Sequence, residues 1–147
     1  YFALSNLGVT QIQVRKLSAA EVALKKAIAI NPKDSFAATN LGIVFCKQGR
    51  FDESIASLLE AVASDDKDHI AHNYLGICYG EKGLKGKAEE AFKRSIEIRS
   101  DYPDAHFNLA VLYATTEPPS LELAREHYKK AVSLGSTADA SLERLIQ

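Results

Sequence analysis

An all-α solenoid of stacked helical hairpins is the fold this sequence predicts, and three observations carry the prediction. Apolar residues recur at helical spacing in paired segments. In Ser35–Asp68, Leu41, Ile43, Val44 and Phe45 precede the break Gln48-Gly49-Arg50, and Ile55, Leu58, Leu59 and Val62 follow it. The first segment of each pair repeats at a fixed interval: Leu7-Gly8, Leu41-Gly42, Leu75-Gly76 and Leu109-Ala110 stand 34 residues apart. The second keeps the same beat, with Ala20, Leu24 and Ala27 returning as Ser54, Leu58 and Ala61, as Ala88, Phe92 and Ser95, and as Ala124, Tyr128 and Ala131. One hairpin alone cannot bury two apolar stripes, so the copies must stack on one another.

The repeats divide the chain at 1–34, 35–68, 69–102 and 103–136, with a closing segment at 137–147. In the first, Leu4, Leu7 and Gly8 set the inner face of a helix that ends between Gln13 and Leu17. Ser18 with Glu21 offers a capping box for the next helix. Ala20, Ala23, Leu24 and Ala27 let that second helix approach closely, and Asn31-Pro32 stops it. The third repeat places Leu75, Gly76, Cys78 and Tyr79 against Ala88, Ala91, Phe92 and Ile96. Gly80, Gly83 and Gly86 between them read as a flexible inter-helix turn; no strand precedes them and Ala88 follows Gly86-Lys87, which is not a phosphate loop. Pro103 opens the fourth repeat at a position where a missing amide donor does no harm. Two residues are inserted near Glu117-Pro118-Pro119-Ser120, which predicts a stiff protruding loop, either a tolerated insertion or a contact knob. In the last segment Leu142, Leu145 and Ile146 face one way, as in a capping helix or the start of a fifth repeat.

Matching of small-residue, aromatic and Pro32 positions along nearly the whole chain resembles the tetratricopeptide repeat family. The resemblance implies a right-handed superhelix whose first helices, the A helices of each hairpin, line a concave groove. It implies a protein-interaction module. Cys46 with a distant His has neither an oxyanion hole nor an orienting acid in the sequence, so no catalysis and no cofactor are expected.

Composition agrees with a binding module. Eighteen Lys and Arg against nineteen Asp and Glu, a net charge of −1, leave no basic surplus for a phosphate backbone, so nucleic acid is not expected as a partner. No apolar run reaches the ~20 residues that cross a bilayer, so this segment is not expected to insert in a membrane. The absence of Met, with a helix opening at Tyr1, leads to the expectation of a segment from a longer polypeptide, with Phe2 and Leu4 meeting an upstream element. Cys46 and Cys78 lie at different heights without CxxC spacing and read as unpaired packing residues, which leans towards a reducing, cytoplasmic compartment. His72 and His106 share one repeat position, too far apart for a common ion, while His69 and His127 read as exposed; no metal site is expected. Asp65-Asp66-Lys67-Asp68 lacks the glycine and final glutamate of a calcium loop and reads as helix capping.

One side of each A helix is left over after packing. It carries Phe2, Asn6 and Val9; Phe36, Asn40 and Ile43; Ile70, Tyr74 and Ile77; Asp104, Asn108 and Val111. The resemblance places these residues in the groove. Asn6, Asn40 and Asn108 share one position, and an amide both accepts from and donates to a peptide backbone. Helices about 9 to 10 Å apart would offer one amide per three residues of an extended chain rising ~3.3 Å each. This resembles the asparagine ladder of O-linked N-acetylglucosamine transferases, interrupted here by Tyr74; the alternative is that Asn is simply common at this position of the family. The family's carboxylate clamp for chaperone tails needs groove cations. The matching positions hold Ser5, Val9, Asn40, Ile70 and Tyr74, or one repeat later Thr39, Ile43, Tyr74, Asp104 and Asn108, and none is a cation. The expected function is capture of an extended peptide or partner helix of uncharged or apolar character. The alternatives are a self-associating homo-oligomeric module and the recognition arm of an enzyme whose catalytic domain lies elsewhere.

Overall fold

The computed structural model describes all residues, 1–147, and contains nine helices. They are α1 (Phe2–Gln13), α2 (Leu17–Ile30), α3 (Ser35–Lys47), α4 (Phe51–Ser64), α5 (His69–Glu81), α6 (Lys85–Ile98), α7 (Pro103–Thr115), α8 (Leu121–Ser133) and α9 (Ala140–Leu145). The first eight form four antiparallel hairpins. Each A helix (α1, α3, α5, α7) touches the next A helix, whereas no B helix (α2, α4, α6, α8) approaches the next B helix. Close A helices and splayed B helices bend the stack into a superhelix with the A layer inside.

Within a hairpin, close approach depends on a glycine. A Cβ added to Gly8 or Gly42 would lie 2.5 Å from the Cγ of Leu24 or Leu58, and one on Gly76 would lie 2.5 Å from the Phe92 ring. Leu24 and Leu58 are in turn fully buried. The fourth hairpin has Ala110 opposite Tyr128, both buried.

The A-to-B turns share one closure. Lys16, Arg50 and Leu84 donate their amides to Gln11, Phe45 and Tyr79 at 2.8, 2.9 and 2.9 Å, the 6→1 bond that ends a helix on a left-handed residue. Gly49 and Gly83 supply that residue with φ of 74°, and Arg15 takes it at 60° in the repeat that lacks glycine. This closure corrects two expectations. It starts α2 at Leu17, so Ser18 lies inside the first turn and makes no cap; Glu21 instead binds Lys25 and Arg50 at 2.6 and 2.8 Å. Only Gly83 belongs to the third turn, because Gly80 and Gly86 are helical.

Between repeats, one polar column does two tasks. Asp34 caps α3 and accepts from Ser5 Oγ at 3.0 Å; Asp68 caps α5 and accepts from Thr39 Oγ1 at 2.7 Å. Each carboxylate therefore fixes a helix start and ties it to the preceding A helix. Pro103 does begin α7, after Tyr102 rather than an aspartate.

The chain ends on α9, where Leu142 and Ile146 are buried against the fourth hairpin. Leu145, expected on the same face, is 51% exposed, since a six-residue helix buries only one narrow stripe. Tyr128 anchors the segment by donating its hydroxyl to Glu143 and accepting from the Asp139 amide, both at 2.8 Å.

Candidate functional site

The leftover side of the A helices forms three columns on the inner layer. Phe2, Phe36 and Ile70 are 70%, 50% and 36% exposed, and Asp104 ends their column. Val9, Ile43, Ile77 and Val111 are half-buried along a second column. Asn6 is exposed in the third, where Asn40, Tyr74 and Asn108 are half-buried. Helical spacing thus brings all eleven apolar and polar candidates onto one accessible side.

The asparagines are already oriented. Asn40 donates its Nδ2 to the Phe36 carbonyl at 2.8 Å, and Asn108 donates to Asn73 Oδ1 at 3.0 Å. Each bond uses one of two N–H groups and leaves the side-chain oxygen and the second N–H uncommitted. Asn73, buried to 2% exposure, did not stand out in the sequence. Its signal was the column it shares with Ser5 and Thr39, whose hydroxyls bind the capping aspartates.

The inner layer is not uniform. Two open cavities, of about 520 and 220 Å³, lie where α5 and α7 face one another and share Ile77 and Asn108. The larger reaches Tyr74, Asp104, Phe107 and the turn Gly135–Thr137; the smaller runs along Gly76, Gly80 and Phe92 to Val111 and Leu112. Tyr102, its hydroxyl pushed well above the usual phenol range by burial and by the Asp104 charge, donates to Asp104 Oδ2 at 3.2 Å. Burial likewise raises Tyr74, so both phenols stay neutral donors.

The histidines have structural partners. His72 Nε2 lies 3.2 Å from the Asp66 carbonyl and His106 Nε2 lies 3.0 Å from the Ser100 carbonyl, each ring clipping the linker six residues back. A carbonyl only accepts, so Nε2 of His106 carries the proton. His127, expected to be exposed, is half-buried with its Nδ1 3.0 Å from Nδ1 of His106. With that tautomer His106 Nδ1 is an acceptor and His127 Nδ1 donates across the gap. His69 is half-buried too, edge-on to the Tyr102 ring at 4.8 Å.

Cys46 and Cys78 are free and share one packing cluster despite their different heights in sequence register. The Cys78 thiol donates to Ser54 Oγ at 3.1 Å, and the neighbouring Cys78 thiol and burial push Cys46 up. Cys46 draws the Cys78 thiol down against burial, with the Ser54 hydroxyl adding to it, but Cys78 is fully buried and both side chains fill the packing between α3, α4 and α5. No three His, Cys, Asp or Glu side chains converge on a point that could hold a metal ion. No helix is long and apolar enough to cross a membrane.

Comparison with known proteins agrees with this geometry. Two profiles described as tetratricopeptide repeat match residues 3–34 and 34–101, a continuous stretch through the first three hairpins. No curated protein matches the sequence. Among solved structures, MamA superposes with a TM-score of 0.78 at 24% identity, over 89% of this chain and 75% of that one. Cut9 in the hetero-tetramer Cut9-Hcn1 gives 0.85 at 17% identity, over 97% of this chain and 28% of the other. The first TPR of Spaghetti (RPAP3), bound to the HSP90 peptide SRMEEVD, gives 0.73 at 17% identity, over 76% and 88%. With its 34-residue hairpins, its glycine-mediated helix contacts and these profile matches taken together, the chain belongs to the tetratricopeptide repeat family.

Proposed function

We propose that this chain is a non-catalytic interaction module that holds an extended peptide or a partner helix against the inner A-helix layer. The observation that carries the reading is the exposed run Phe2, Phe36 and Ile70 beside half-buried Val9, Ile43, Ile77 and Val111. Solvated helix faces do not gather apolar side chains in columns that cross four helices. The uncommitted amide groups of Asn6, Asn40 and Asn108 beside them suit a peptide backbone. The HSP90 peptide held by the Spaghetti repeats is acidic, and the corresponding columns here contain no Lys or Arg. A different ligand chemistry follows for this chain.

Peptides selected from a displayed random library and titrated by fluorescence anisotropy test the reading. Ile43→Asp should weaken binding by at least about a hundredfold, by placing a desolvated charge in the groove, and Asn40→Ala by about fivefold. Unchanged affinity in both variants would remove the groove from the account.

A further inference from the structure

We infer that the cleft between α5 and α7 receives one aromatic side chain of an extended peptide, and that the same peptide carries a Lys or Arg about three residues away. The inference rests on the groove reading above and deepens it: it names where the ligand is anchored and what chemistry it bears.

The first argument is a helical glycine with no packing reason. Gly80 lies in the last turn of α5, where alanine is the better helix former. Gly8, Gly42 and Gly76 are explained by the side chains they admit, but a Cβ on Gly80 would meet only Ala88 Cβ, at 4.0 Å. The equivalent residues in the other repeats are Ile12, Cys46 and Ala114. Omitting the side chain in the third repeat leaves the wall of the smaller cavity open.

The second argument is size and lining. That cavity measures about 220 Å³, and its apolar wall is Gly76, Ile77, Gly80, Phe92, Val111 and Leu112. An apolar cavity of about 150 Å³ already admits a benzene ring. The space suits one aromatic side chain and is smaller than the ~300 Å³ at which pockets for whole small molecules begin.

The third argument is charge complementarity. Glu81 borders the smaller cavity and Asp104 the larger, and neither forms an ion pair. Lys85 also borders the smaller cavity, its ammonium turned to the Thr115 carbonyl at 2.9 Å, so the carboxylate without a cation beside it is Asp104 at the larger one. Asp104 is held in place by the Tyr102 hydroxyl. Asp104 and Val111 are seven residues apart on α7, about 10 Å along the axis at 1.5 Å per residue. An extended chain covers that distance in about three residues. Asn108, shared by both cavities, lies between the two anchors with its oxygen available to a backbone N–H.

The experiment uses N-acetyl-phenylalaninamide, with N-acetyl-alaninamide as control, titrated into the ¹⁵N-labelled chain and followed by amide shifts. Shifts should centre on Gly76, Ile77, Gly80 and Val111, with none at the equivalent Gly42, Ile43 and Cys46, and the alanine control should move nothing. Gly80→Leu should abolish the shifts. Gly80→Ala should weaken them at least about twofold while raising the melting temperature by about 3 °C, which separates loss of the site from loss of the fold. A capped Ala/Ser peptide with Phe, and Lys three residues from it, should bind about fivefold tighter than its Lys→Glu version, and Asp104→Asn should erase the difference. Shifts that are diffuse, or that survive Gly80→Leu, overturn the inference. If library-selected peptides still lose affinity with Ile43→Asp in that case, the groove reading stands without this anchor; if no ligand moves any A-helix amide, both fall.

Discussion

The junctions between the first three repeats and the junction before the fourth occupy the same register but use different bonds. At the first two, a hydroxyl of one A helix meets the carboxylate that caps the next: Ser5 with Asp34, Thr39 with Asp68. At the third, Tyr102 and Pro103 replace the capping aspartate, Asn73 takes the hydroxyl's column, and its oxygen turns to Asn108. The same junction holds the cleft and the carboxylates Glu81 and Asp104, neither of them in an ion pair. Periodicity therefore preserves where backbones lie while leaving the polar side chains of one junction free to be reassigned. The irregular junction is where both cavities of the inner layer lie.

The largest test of this contrast concerns the hairpin contacts on either side of it. Gly76→Val places a branched side chain 2.5 Å from the buried Phe92 ring and should lower stability by roughly 3 kcal/mol in urea denaturation. Ala110→Gly, the reverse exchange in the fourth hairpin, should cost only about 1 kcal/mol. Equal losses would mean that the fourth hairpin is packed like the others.

Next in size is the shared carboxylate. Asp68→Ala removes a cap and the acceptor of Thr39 together and should cost about 2 kcal/mol. Thr39→Val in that background should add little further, as two residues in one bond are not additive. An additive double variant would show that the inter-repeat bond contributes nothing beyond the cap.

The smallest effect is a pH dependence. Burial lowers the His127 pKa, and His106 and Lys93 lower it further against the opposing pull of Glu126. Burial lowers His69 too, with Arg99 adding to it against Asp68 and Asp101. The unfolded chain, with histidine near 6.5, takes up protons that the folded one refuses. Stability is thus fully present above about pH 6.5 and declines as pH falls through the lowered folded values. Melting temperatures between pH 7.5 and 5 should fall, and His127→Asn should flatten the slope. The depressed carboxylates Glu21, Glu53 and Glu89 act only at lower pH, below the ordinary glutamate value of 4.5. A slope unchanged by His127→Asn would detach the histidine pair from stability.

Much of the candidate site was legible because an A helix samples the same side every 34 residues. Once Leu41 and Gly42 were assigned to packing, Phe36, Asn40 and Ile43 were left over, and the structure leaves all three accessible. The Ser18 cap failed because the turn before it closes through the backbone on Arg15, a choice invisible in side-chain patterns. His127 was missed for another reason: its partner lies on a different helix, in the one hairpin shifted by the two-residue insertion. Asn73 was hidden because its column changes residue type at each repeat while keeping one place in space.

Spacing of apolar and small residues alone determined that the chain would form four hairpins, which faces would meet, and which side of each A helix would be spared. Local propensity and burial act on individual residues at known intervals, so a linear pattern contains them. Which amide turns to which neighbour, where a histidine finds its proton, and that a missing Cβ at Gly80 opens a cleft rather than a closer contact were decided only in three dimensions. Those outcomes depend on distances between residues far apart in the chain, and the repeat fixes such distances only where its side chains repeat as well.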